Sequence, residues 1–236
     1  MRKKLMLGVW LLIPVALLAY HYGPGQARVA QDKAALKIAE AKALEAKEDW
    51  ASAYRVWGEA LAGTPAEDTQ TRFQLRLAQA RARIPMGGLP EAMKDMSSLL
   101  TEATQANADK ALLNEIRGSL ANSQYYVAWL MRLEGAPGEE WMLPAEGARQ
   151  NFRLLSENTR GVKVEEDYEK NLEAVIRLER MSLEELQGQP LPKKCSGNKN
   201  VSQKGRSQSE SKGKNDPKDK QDARGAGFND IPKGGS

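Results

Sequence analysis

Catalysis and metal binding need particular side chains at particular spacings, and this chain holds few of them. Its 236 residues include one histidine, His21, and one cysteine, Cys195. A zinc site made of several Cys and His ligands needs more than that. A disulfide within the chain needs two cysteines, and catalytic schemes with two histidines fall away as well. Paired carboxylates stand at Glu139-Glu140, Glu165-Glu166 and Glu184-Glu185, and are expected to face solvent. The phosphate-loop, H-E-x-x-H and G-x-S-x-G patterns do not occur, and Gly87-Gly88 is too isolated to cradle a phosphate. The expectation is a protein that is not an enzyme, with no catalytic, metal or cofactor site and no small-molecule substrate. What remains is recognition, so the elements that would present recognition residues come next.

Hydrophobic residues make up 41% of the chain and charged residues 28%, with a net charge of +4 that is unevenly spread. Residues 1–26 carry Arg2, Lys3 and Lys4 and no acid, for +3. Residues 27–187 hold 21 basic and 26 acidic side chains, for −5, and residues 188–236 hold 11 and 5, for +6. The chain thus divides into an anchor (1–26), a helical domain (27–187) and a basic tail (188–236).

From Leu5 to Tyr20 the sequence LMLGVWLLIPVALLAY is an apolar run of 16 residues. That falls between a secretory h-region of about 7–15 residues and a spanning helix of about 20. Its exit, Ala19-Tyr20-His21-Tyr22-Gly23-Pro24, lacks the small residues of a cleavage site and offers tyrosines suited to the membrane interface. We read an uncleaved signal anchor, with a cleaved signal as the alternative. The N-terminal cations hold the N-terminus in the cytoplasm and place the rest outside it. No second apolar run follows, so the expected topology is single-pass in the cytoplasmic membrane with a periplasmic or extracytoplasmic bulk. Cys195 lies too far from the apolar run for lipoprotein acylation and reads as a free thiol in the tail, with an intermolecular disulfide in an oxidising compartment as the alternative.

The stretch 27–62 is rich in Ala, Glu, Lys and Leu, lacks proline, and breaks only at Lys47-Glu48-Asp49. After the break, Trp50, Ala53, Tyr54, Trp57, Ala60 and Leu61 share one helical face, and Gly63-Thr64-Pro65 stops the run. Trp50, Ala53, Trp57, Ala60 and Pro65 together resemble helix B of a tetratricopeptide repeat, with Ala41 and Leu44 as the small and large positions of helix A. Lys37 and Glu40 depart from that family's helix A pattern. The resemblance implies an all-α fold of antiparallel helix pairs stacked as a solenoid. In it the alanines allow close approach, the aromatics fill the space between pairs, and the proline turns the chain into the next repeat. A plain helical bundle would use the same stripe as its core.

A weaker second copy follows, in which Ala92, Met96 and Leu99 echo Ala53, Trp57 and Ala60 at an offset of 39 residues (92 − 53). The family period is about 34, and the stretch 84–88, with Pro85 and two glycines, is the expected seat of the extra residues. A third pair is expected over 111–134 and 144–155, with Ala148, Phe152 and Leu155 in the same spacing and a long connector at 135–144. A last helix over 164–187 would cap the stack.

The tail holds seven apolar residues in 49 positions, too few to offset chain entropy, and is expected to be disordered. Its lysines are interrupted by acids and glycines, with no stacking aromatics, which argues against nucleic acid. Phe228 and Ile231 form an apolar island that could dock on a partner. Two functions from different classes follow. One is a membrane-tethered protein–protein interaction scaffold. The other is a structural envelope protein whose basic tail binds anionic polymer or lipid, the helical part being a spacer. The architecture as a whole is similar to that of small membrane-anchored tetratricopeptide proteins of bacterial aerotolerance-type operons. That resemblance implies an envelope complex with a von Willebrand A-domain membrane protein as partner.

Overall fold

The computed structural model describes residues 10, 12–18, 20, 26–161 and 165–192. The fold is all-α, with no strand among the described residues. The described residues from 26 onward form eight α-helices: α1 (Gln26–Ala46), α2 (Trp50–Gly63), α3 (Thr69–Arg83), α4 (Leu89–Gln105), α5 (Lys110–Leu133), α6 (Gly138–Asn158), α7 (Glu165–Arg180) and α8 (Leu183–Gln187). Each of α1 to α6 packs against the next helix in the chain.

Three apolar clusters lie along this series. The first joins Ala41 of α1 and Ala53, Val56, Trp57 and Ala60 of α2 to Leu75 and Ala82 of α3. The second joins Leu77 and Ala80 of α3 to Met96 and Leu99 of α4 and Ile116 of α5. The third holds Ala121 and Tyr125 of α5, Ala148, Phe152 and Leu155 of α6, and Val175 of α7. Helix α3 therefore gives one face to the helix before it and another to the helix after it, and α5 divides along its length in the same way. The spacing i, i+4, i+7 is buried in all three even-numbered helices up to α6: Ala53/Trp57/Ala60, Ala92/Met96/Leu99 and Ala148/Phe152/Leu155.

Four helix ends share one device. Glu48, Gly87, Asn107 and Gly135 are left-handed, with φ of 61°, 90°, 51° and 79°. In each case the next N–H bonds the carbonyl five residues back: Asp49 to Leu44, Gly88 to Arg83, Ala108 to Ala103 and Ala136 to Met131. This Schellman arrangement satisfies carbonyls that a helix end leaves open. Gly88 must stay small, because a Cβ there would lie 2.5 Å from Cγ of Arg83.

Glu48 and Gly87 are 39 residues apart, the same offset that relates Ala53 to Ala92. Applied to the odd helices, it aligns Leu36–Ala43 (LKIAEAKA) with Leu75–Ala82 (LRLAQARA). The distance along the chain from the body of the odd helix to the buried triple is thus the same in both pairs, and the stretch 84–88 does not absorb the extra residues expected there. Those residues fall between α2 and the body of α3, in the connector 64–68 and the first turn of α3.

The third pair departs further. The buried triple begins five residues after the left-handed turn in the first two pairs (53 − 48 and 92 − 87) but thirteen after it in the third (148 − 135). The extra eight residues are about two helical turns. The connector expected over 135–144 is accordingly short. Helix α6 starts at Gly138, Pro144 lies inside it, and Trp141 is buried. The Arg132 guanidinium sits 4.5 Å from the Trp141 ring centre, which fixes that first turn against α5.

The expected last helix is two. Ser182 interrupts it with a reciprocal cap: its Oγ accepts from Glu185 N–H at 3.1 Å, and its own N–H donates to Glu185 Oε2 at 2.8 Å. The Arg132 guanidinium donates to the Met181 carbonyl, and Leu186 is fully buried.

Trp10, residues 12–18 and Tyr20 are helical, and Trp10, Leu12, Ile13, Val15, Leu17 and Leu18 are exposed. No helix among the described residues is both long and apolar enough to cross a membrane. Much of the expected anchor, His21, Cys195 and the tail from residue 193 with Phe228 and Ile231 lie outside the described residues.

Candidate functional site

Sequence periodicity gives α1 two working faces. Ala41 and Leu44 pack into the α1–α2 core, and Ile38, Lys42 and Glu45 border it on the side shared with α3. This second face, with Trp50 and Trp57 of α2, Leu75, Ala78 and Arg81 of α3 and Glu115 of α5, encloses a cleft of about 520 Å³. Its floor is apolar and aromatic. Trp57 is 4% exposed and Trp50 half-buried, so Trp50 offers more of its ring to a ligand.

The polar wall is largely occupied by internal bonds. Trp57 Nε1 donates to Glu45 Oε1 at 2.8 Å, which ties α2 to α1 and fixes the carboxylate at the rim. Arg81 pairs with Glu115 at 2.8 Å and donates from Nε and Nη2 to Ser119 Oγ at 2.9 and 2.6 Å. The Ser119 hydroxyl in turn donates to the Glu115 carbonyl at 2.9 Å. Lys42 occupies the place in α1 that Arg81 occupies in α3, at the 39-residue offset. Where Arg81 reaches Glu115, Lys42 has Gln74 and Ala78 along the wall and makes no ion pair among the described residues. One lysine is thus left to meet a ligand beside the two tryptophans.

Of the residues singled out by the tetratricopeptide resemblance, Ala41, Ala53 and Ala60 are fully buried and Trp57 nearly so. Leu44, Trp50 and Pro65 are half-buried. The structure brings all but Pro65 to the α1–α2 hairpin core and cleft. The resemblance did not single out Lys42, Glu45, Arg81 or Glu115. For Lys42, Glu45 and Arg81 the signal was the i, i+4, i+7 line Ile38, Lys42, Glu45 and its copy in α3, and for Glu115 there was none.

The carboxylate pairs serve the helices. Glu165 accepts from the Gly161 N–H at 2.6 Å, Glu166 pairs with Lys170 at 2.5 Å, and Glu185 closes the cap of α8. Among the described residues no group of three or more His, Cys, Asp or Glu could hold a metal ion. Two further grooves, between α7 and α8 around Ile176 and Met181 and between α4 and α5 around Met93 and Val127, lack the aromatic floor. Compared with known family models, with curated proteins and with solved structures, the chain matches none of them.

Proposed function

We propose that this chain is a membrane-tethered interaction scaffold of tetratricopeptide type, which holds an extended segment of a partner protein in the α1–α2–α3 cleft. The observation that carries the reading is the internal copy. A unit of 39 residues repeats its turn, its small residues and its buried triple, and the two copies meet at a cleft floored by tryptophans. In this reading the odd-numbered helices form the inner row of a solenoid, and Lys42 is the charge left to meet the partner. Tethering is supported by the exposed apolar helical stretch around Trp10 and Leu12–Leu18, for which lipid is the matching environment. The basic N-terminus directs the cleft to the extracytoplasmic side. The first partner to test is a von Willebrand A-domain membrane protein, and the implied role is assembly of an envelope complex.

The test uses full-length bait, bait ending at residue 192, and full-length bait carrying Trp50→Ala with Lys42→Glu, each recovered from bacterial membranes with the A-domain protein co-expressed. Retention by the first two and loss by the third supports the reading. Retention only by bait with its tail assigns capture to residues 193–236 and overturns it.

A further inference from the structure

The 39-residue copy has a second consequence, on the side of α1 away from the cleft. In α3, Leu75, Ala78 and Ala82 supply the apolar stripe that joins the cluster of α2, with Leu75 at 3% and Ala82 at 0% exposure. Their counterparts in α1 are Leu36, Ala39 and Ala43, identical in type. All three are exposed, Leu36 at 71%. Just ahead of this stripe in α3, Arg72 donates to the carbonyls of Leu61 and Thr64 at 3.2 and 3.0 Å, so it closes the C-terminal end of α2. Its counterpart in α1 is Lys33, also exposed. Helix α1 therefore presents a second copy of this apolar stripe and of its cation, with no helix on it among the described residues; Gln79 and Arg83, which bond Tyr54 of α2 from α3, have Glu40 and Leu44 in their places.

We propose that this outer face of α1 is the docking site for an amphipathic α-helix of a partner protein, held as α3 holds α2. The chain's own packing states what such a helix needs. It must carry an apolar face with a small residue on it, as α2 does with Tyr54, Trp57, Gly58 and Leu61, and a free C-terminal turn whose carbonyls meet the Lys33 ammonium. A second copy of this chain is the poorer occupant. Its helices of that type are already covered, α2 by α3, α4 by α5 and α6 by α7. The face is separate from the cleft, which uses Ile38, Lys42 and Glu45 of the same helix.

The probe is a synthetic peptide of residues 49–65, labelled with fluorescein. A hydrocarbon staple replaces its outward Arg55–Glu59 ion pair, so that the peptide is helical before it binds. Fluorescence anisotropy is followed on addition of the full chain in detergent micelles. We expect saturable binding, weakened at least tenfold by Leu36→Glu or Leu36→Lys, weakened several-fold by Lys33→Glu, and retained by Leu36→Met. Circular dichroism of each variant should match the parent, since Leu36 contributes little to the fold. Absence of binding at about 1 mM chain, or binding indifferent to the Leu36 variants, overturns the proposal; the latter would mean exchange with the chain's own α2. Sedimentation velocity without peptide supplies the remaining arm. If the chain self-associates and Leu36→Glu makes it monomeric, a second copy covers the face and the partner helix is wrong.

Discussion

Glu48 and Gly87 close the α1–α2 and α3–α4 turns in the same left-handed conformation, 39 residues apart, one with a side chain and one without. An L-residue in that region crowds its Cβ against the backbone, and glycine does not. Glu48→Gly is therefore expected to stabilise the chain by about 0.5–1 kcal/mol in denaturant melts, the gain from relieved strain exceeding the extra entropy of the unfolded glycine. Gly87→Ala should cost a similar amount. A loss of stability for Glu48→Gly would show that the glutamate side chain is supplying a contact that outweighs its backbone.

Trp57 joins two helix pairs and bonds Glu45, and two substitutions separate these roles. Trp57→Ala empties the space between α2 and α3 and should cost about 3–5 kcal/mol. Trp57→Phe keeps most of the volume and removes the indole N–H, and should cost about 1–2 kcal/mol. Equal losses for the two would place the weight on the hydrogen bond to Glu45 and not on packing.

Acid should weaken the fold in a predictable direction. The Arg76 guanidinium, bonded twice to Glu102 at 2.5 and 2.9 Å, holds that carboxyl below its ordinary value. Lys37 does the same for Glu59, Gln150 and then Arg149 for Glu146, and Lys170 for Glu166. Because each folded-state pKa lies below its unfolded value, the unfolded chain takes up protons first as pH falls. The stabilisation is whole above the glutamate range and drains away below about pH 4.5. These groups are exposed, so each contributes little. Thermal melts should show Tm falling through this window, and Arg76→Gln should reduce the fall while lowering Tm at neutral pH.

The membrane reading has its own measurement. Carbonate extraction should leave the full chain in the bacterial membrane pellet, with an intact N-terminus by mass spectrometry. Release into the supernatant, or a mature start near Gly23 or Ala27, would refute the anchor.

The helices from α1 to α6 were legible because their apolar residues recur at 3.6-residue spacing and their ends carry Pro, Gly or a capping Asp. Asp49 and Asp68, for example, accept from the N–H groups of Ser52 and Thr71. Three features were not legible. Pro144 signals a break, yet burial of Trp141 and Ala145 outweighs one lost backbone bond and α6 runs through it. Ser182 and Glu185 form an S-x-x-E helix start that is masked by the unbroken apolar periodicity around it, and Arg132, from 49 residues away, takes the Met181 carbonyl at the same break. The cleft was only half visible. Trp50 and Trp57 stand out as rare residue types, whereas Lys42, Arg81 and Glu115 gain their meaning from helices that meet only in three dimensions.

Helices that pack on their sequence neighbours leave few contacts between distant parts of the chain, and that sets how the molecule comes apart. Low contact order favours fast folding, and a linear series of interfaces lets unfolding begin at an end and stop partway. The two ends are not equal in this respect. At the C-terminal end Arg132 reaches the α7–α8 elbow and Leu186 is sealed beneath it, so α8 is latched back onto α5. At the other end α1 packs chiefly on α2 and has no such latch among the described residues. Amide exchange should therefore run as a gradient, fastest in the first hairpin, and the surfaces proposed to meet a partner are the ones with the least to lose by opening.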